Sequence, residues 1–214
     1  MLNIYSISNR ITFGGNIVKI SDVIKKELKV FWGNEPNDDC IKLTPVIKTN
    51  NLSYEVTINY DLITYRDKDS SKINDNYLVE GDLLIEKSGG TKTHSVGYVN
   101  YFNGRNNFYV ANNFILPLRP NKKLILPKYL FYHMKFYYES GFFSDCFNKT
   151  TGIQNLKKEK YLSKSIIVPS FEKQQIIVNI LDKIHDVIKY KNKELLYLND
   201  LVKSRFIRQE VGAC

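Results

Sequence analysis

The sequence predicts an α+β protein: a mixed globular domain followed by a long C-terminal coiled-coil helix. Three observations carry this. Up to Pro169, short apolar runs alternate with Gly, Asn and Asp clusters, the texture of intermixed strands and helices. From Glu172 to about Arg208 neither Pro nor Gly interrupts the chain. Within that stretch apolar residues recur at alternating spacings of four and three, the period of a coiled-coil seam. The division is expected at 1–170 for the domain and 171–214 for the helix.

Strands are expected at Ile41 to Thr49, Ser53 to Asn59, Leu83 to Glu86, Val96 to Tyr101 and Asn113 to Arg119. Each is short, rich in β-branched or aromatic residues, and bounded by turn formers. Helices are expected at Ser21 to Lys29, with Ser21 as N-cap, and at Lys128 to Ser140, after Pro127 and before Gly141. A short helix is expected over Phe142 to Lys149, and the polar stretch Arg66 to Asn76 reads as an exposed loop.

The seam comprises Ile177, Leu181, Ile184, Ile188, Lys191, Leu195, Leu198 and Val202. At 1.5 Å per residue the helix is about 55 Å long. That exceeds a domain of this size, whose radius of gyration is about 15 Å, so the stripe needs a partner helix. Lys191 is the kind of polar intrusion that fixes register at a cost in stability.

The 214 residues suffice for one domain plus an extension. With 43% hydrophobic residues, 15 Tyr and 12 Phe, the chain can bury a core, which excludes disorder throughout. The net charge of +9 favours an anionic partner, with nucleic acid first. It is uneven: +1 for Met1 to Pro120 and +8 for Asn121 to Cys214. Cys40, Cys146 and Cys214 form no C-x-x-C pair and suggest neither a disulfide framework nor a zinc ribbon. Without a signal-peptide pattern or a long apolar run, a cytoplasmic location is expected.

Residues for catalysis are not evident, and the chain is expected to be non-catalytic. His94, His133 and His185 lie far apart with no metal-ligand spacing. Gly89-Gly90-Thr91-Lys92-Thr93 lacks the frame of a phosphate loop. Glu27-Leu28-Lys29 with Asp22 is a poor nuclease motif, set on what reads as an ordinary amphipathic helix. Neither a base-flipping Pro-Pro loop nor a G-x-G-x-x-G is present.

The segments Thr150-Thr151-Gly152-Ile153-Gln154-Asn155-Leu156, Tyr161-Leu162, Ile166-Ile167-Val168-Pro169, Glu172-Lys173-Gln174-Gln175-Ile176-Ile177 and Leu181-Asp182 follow one another in a linked order. Together they resemble the specificity subunits of type I restriction-modification systems. Upstream, Glu80 to Gly90, Val110 to Ile115, Leu118-Arg119-Pro120 with Tyr129-Leu130, and more weakly Val18 to Val23 are similar to the same family. The chain departs from it in having one recognition domain and one helix instead of two, and Val168-Pro169-Ser170 where two prolines are common. It resembles a half subunit, for which a two-part site requires a second copy or another half subunit.

The resemblance implies a target recognition domain that reads double-stranded DNA for methyltransferase subunits, which carry S-adenosylmethionine, and for a restriction subunit; this chain itself holds no cofactor. The expected DNA-binding residues fall in three places: Lys87, Ser88, Lys92 and Thr93; Arg105 and Asn107; and Lys149, Thr150, Thr151, Gln154, Lys157 and Lys158. Lysines serve phosphates, Arg forks onto guanine, and Asn or Gln pairs with adenine. Each place also reads as a plain turn. Two other functions stand beside this one: the recognition subunit of a type II enzyme, and a coiled-coil decoy that does not bind DNA.

Overall fold

The computed structural model describes residues 14–36, 43–53, 58–67, 73–90, 94–148 and 153–211, without the side chains of residue 74 and of residues 205–211. In chain order the strands are β1 (Asn16–Lys19), β2 (Ile24–Glu27), β3 (Leu43–Ile47), β4 (Thr64–Asp67), β5 (Leu83–Glu86), β6 (Ser88–Gly89), β7 (Val99–Tyr101), β8 (Val110–Ala111), β9 (Ile115–Pro120), β10 (Phe147–Asn148), β11 (Gln154–Leu156) and β12 (Ser165–Val168). The helices are α1 (Pro127–Glu139), α2 (Lys158–Leu162) and α3 (Phe171–Val211). The chain divides into two compact units, Met1–Gln174 and Gln175–Cys214.

Within the first unit, β2-β9-β5-β7 forms a four-stranded antiparallel sheet. Leu83, Leu84 and Ile85 of β5 are all fully buried, which is why this strand reads as a continuous apolar run instead of an alternating one. Burial of such side chains contributes roughly 1.5–3 kcal/mol each. Leu84 and Ile115 from this sheet pack with Leu28, Ile47, Leu78 and Phe102. Asp82, just before β5, is buried and accepts from Arg119 Nε and Nη2 at 2.8 Å each, fixing β5 to β9 at one end. β4-β3-β8 is a mixed sheet, with β3 parallel to β8.

β1 pairs antiparallel with β12, so the start of this unit lies beside its end. At Gly15 an added Cβ would come within 2.8 Å of the Val168 carbonyl, so the close approach needs glycine. Just after β12, Gln174 is fully buried; its Nε2 donates to the Pro169 carbonyl and its Oε1 accepts from the Leu126 N–H at the start of α1. The amide thereby satisfies a helix-end donor that would otherwise be orphaned.

Strands at 83–86, 99–101 and 115–120, the helix after Pro127 and the long uninterrupted helix agree with the sequence reading. The helix expected over Ser21 to Lys29 is not formed. Ile20–Val23 is a single 3-10 turn, burying Ile20 and Val23, and Ile24–Glu27 is a strand against β9. Asp22, not Ser21, caps the turn by accepting from the Lys19 N–H at 3.0 Å. The expected helix over Phe142 to Lys149 is instead a run of turns ending in β10, with Lys149 outside the described residues. The exposed loop expected over Arg66 to Asn76 is corrected at its ends: Arg66 is buried in β4, and Ile73 and Asn76 are buried too. Of the strand expected over Ser53 to Asn59, residues 54–57 lie outside the described residues and Ser53, Ile58 and Asn59 are not in a strand.

In the second unit, the seam residues Ile184, Ile188, Lys191, Leu195, Leu198 and Val202 are exposed, while Ile177 and Leu181 are half-buried. A neighbouring stripe, Ile176, Ile180, Val187, Tyr190, Tyr197 and Leu201, is exposed as well. The apolar face of α3 is therefore wider than a two-stranded seam requires.

His133 on α1 lies between the rings of Tyr129 and Tyr137, with Nε2 buried and lacking a hydrogen-bond partner among the described residues. Burial pushes its pKa down to about 4. The unfolded chain takes up a proton near pH 6.5 that the folded one refuses, so stability falls as pH drops from about 6.5 toward 4, by on the order of 3 kcal/mol. Urea midpoints at pH 7.5 and pH 5 should differ accordingly, and His133→Phe should flatten that difference.

Candidate nucleic-acid interface

Two of the three segments expected to touch DNA are brought together. β6 pairs antiparallel with β11, setting Ser88 against Asn155 and Gly89 against Gln154. The Ser88 hydroxyl donates to Asn155 Oδ1 at 2.5 Å, and the Leu156 N–H donates to the Lys87 carbonyl at 2.8 Å. Lys87, Ser88, Gln154, Lys157 and Lys158 thus share one neighbourhood. Lys92, Thr93, Lys149, Thr150 and Thr151 lie outside the described residues.

The turn after β6 is held from inside. Glu86 Oε1 accepts from the Gly90 N–H at 3.0 Å, and burial pushes the Glu86 pKa up. The Val96 N–H donates to Gln154 Oε1 at 3.3 Å, and the Tyr138 hydroxyl donates to the Ser95 carbonyl at 2.7 Å. Gly90 has φ +68°, and a Cβ there would lie 3.1 Å from the His94 carbonyl oxygen. The glycine is thus demanded by backbone conformation and by close packing on Gln154.

The third segment is elsewhere. β5 and β7 are antiparallel, with Lys87 following β5 at one end and the Arg105 turn following β7 at the other. At ~3.3 Å per residue, the length of β5 alone is about 13 Å, and the Arg105 turn lies beyond its far end, bonded to Leu78 and Glu80. Arg105 lies over the Phe108 ring at 4.9 Å, and Asn107 adopts φ +56°, donating its N–H to the Leu78 carbonyl. Asn106 Oδ1 accepts from the Glu80 N–H. The guanidinium is presented from a turn whose backbone is tied down.

Lys157, Lys158, Lys160 and Lys164 are partly neutralised within the fold. Lys158 pairs with Glu27 at 3.1 Å, while Lys160 and Lys164 both reach Asp145, at 2.9 and 2.8 Å. Hydrogen bonds from Lys164 and then Lys160 hold the Asp145 carboxyl well below the usual carboxylate range. Lys157 is exposed at the N-cap of α2.

Sequence reasoning passed over two features. Lys29 and Glu27 line a groove with Lys87; they were assigned to a helix, and only the long-range pairing of β2 with β9 places them there. Trp32, the chain's single tryptophan, is 41% exposed under the Arg66 guanidinium, which lies 4.6 Å from the ring centre and also pairs with Glu35. Its uniqueness was a visible signal, but its partner was read as a loop residue.

The family model described as type I restriction modification DNA specificity domain matches residues 10–199. A putative type I restriction enzyme specificity subunit, MjaX, of Methanocaldococcus jannaschii is 26% identical over 126 residues, which is 59% of this chain and 29% of that subunit. Among solved structures, the HsdS subunit of Thermoanaerobacter tengcongensis superposes with a TM-score of 0.58 at 12% identity, covering 84% of this chain and 44% of that one. The type I S subunit of M. genitalium gives 0.51 at 16% identity, covering 84% and 41%. A structure described as the basis of complex assembly and conformational transition of a type I system gives 0.59 at 10% identity, covering 84% and 44%. The chain spans less than half the length of these relatives.

Replacing Gly90 with Ala forces a left-handed backbone on a residue with a Cβ and presses it on Gln154. The variant should lose about 1–2 kcal/mol, seen as a fall in thermal midpoint.

Proposed function

Because the chain belongs to the type I restriction-modification DNA specificity family, we propose that it is the non-catalytic, sequence-reading part of such a complex and directs methyltransferase and restriction subunits to a split DNA site. The observation that supports this most is the joining of the Lys87-Ser88 turn to Gln154–Leu156, which makes one surface of potential phosphate donors from segments 66 positions apart.

Lys87, Lys157 and Lys158 would supply phosphate contacts, while Arg105 is suited to base edges and the Gln154 amide, turned inward to the Val96 N–H, shapes the surface. The ~13 Å length of β5 between the two places already equals about four base pairs at 3.4 Å per step, so they would read different parts of one half-site. The wide apolar face of α3 suits antiparallel pairing with a second copy or another half subunit, and leaves a stripe for a methyltransferase helix. Two helices of ~60 Å would set the recognition domains a turn or more of DNA apart, hence a non-specific spacer.

Affinity for duplex DNA should fall steeply with salt, which a decoy that does not bind DNA would fail to show. Arg105→Ala should cost ~1–3 kcal/mol on the modified sequence and much less on a scrambled duplex. Mapping methylated bases made by the chain with its methyltransferase should give two half-sites around a spacer; modification without sequence preference contradicts the reading. Leu195→Glu should convert dimer to monomer by light scattering and remove the second half-site.

A further inference from the structure

Glu27, Leu28, Lys29 and Val30 on one side, and Lys87 with Ile115, Leu116 and Pro117 on the other, line a groove of about 530 Å³. Its floor is apolar, with Leu28 and Ile115 buried. Lys29 and Lys87 are among its lining residues, and Lys158 joins them through its ion pair with Glu27 at 3.1 Å. Lys29 follows β2, Lys87 follows β5 and Lys158 opens α2, and the Leu156 N–H on the Lys87 carbonyl holds the last two together. Glu27 is the one carboxylate among the lining residues.

We propose that this groove seats a sugar-phosphate strand of DNA, and that Glu27 occupies in the free protein the place a phosphate takes in the complex. The inference rests on the proposed function and assigns a contact to it that the recognition loops do not include. Two physical points carry it. The Glu27 and Lys158 side chains are 46% and 35% exposed, so their attraction is weak and easily exchanged for a phosphate. A phosphate bound by Lys29 and Lys87 also brings its charge to the same rim as Glu27. Each docking event then requires Lys158 to turn from the carboxylate to the phosphate. Glu27 acts as a brake on binding, felt equally by every DNA sequence because phosphates carry none of the sequence.

The test is a salt titration of the full-length chain with a labelled mixed-sequence duplex about three helical turns long, read by anisotropy. Glu27→Gln should tighten binding roughly three- to tenfold at low salt and steepen the log-log salt slope by about one. Lys29→Gln and Lys158→Gln should each weaken binding and make that slope shallower by about one. Thermal midpoints within a few degrees of the unsubstituted chain establish that each variant is folded; should Glu27→Gln fail this, Lys29→Gln, which breaks no ion pair among the described residues, decides the matter. Wild-type binding with unchanged slopes in the variants overturns the groove and leaves the DNA-reading function standing. Absence of salt-dependent binding by the unsubstituted chain overturns both. Tightening of the methyltransferase complex by Glu27→Gln, with DNA affinity unmoved, assigns the groove to a protein partner and overturns the proposal.

Discussion

A two-residue strand holds the candidate interface together. Ser88 and Gly89 pair with Asn155 and Gln154, and without that short ladder the turn after β5 and the entry to α2 would be separate surface loops. Loops are the usual carriers of binding residues, but they serve recognition only when a scaffold fixes them. Here the fixing is redundant: Glu86 holds Gly90 from below, Gln154 holds Val96, and Tyr138 holds Ser95. Under the proposed function, a backbone fixed in this way would lose little freedom on binding DNA.

The charge distribution gains meaning from the same geometry. The net +9 is not a uniform coat. Asp145 absorbs two lysines of the α2 region and Glu27 a third, so much of the excess that the sequence concentrates there is balanced within the fold. Long-range attraction still follows net charge, whereas short-range contact depends on which ammonium groups can exchange partners. An exposed pair such as Glu27–Lys158 can be exchanged; the buried Asp82 under Arg119 is structural, joining β5 to β9.

The elements legible in the sequence were those whose pattern is local. β5 is an unbroken apolar run, α1 starts at a proline and ends before Gly141, and α3 carries its period for forty residues without a breaker. The stretch 20–28 misled because Ile20, Val23, Ile24 and Leu28 have helical spacing; one 3-10 turn uses the first two, and pairing with β9, about ninety positions away, makes a strand of Ile24–Glu27, with the Leu28 N–H bonded to the Pro117 carbonyl just beyond it. The same long-range pairing hid Glu27 and Lys29, and the burial of Arg66 on β4 hid the setting of Trp32. Gln174, by contrast, stood in the motif Glu172-Lys173-Gln174-Gln175, and its buried amide shows what that position does: it bonds both Leu126 and Pro169.

The central claim is that the joined surface of β6 and β11 meets DNA. Hydrogen–deuterium exchange of the full chain, with and without a duplex containing its modified site, tests this directly. The account predicts that amides of residues 87–90 and 154–158 slow together when DNA is added. Unchanged exchange in both segments, with protection confined to residues 175–211, would contradict it.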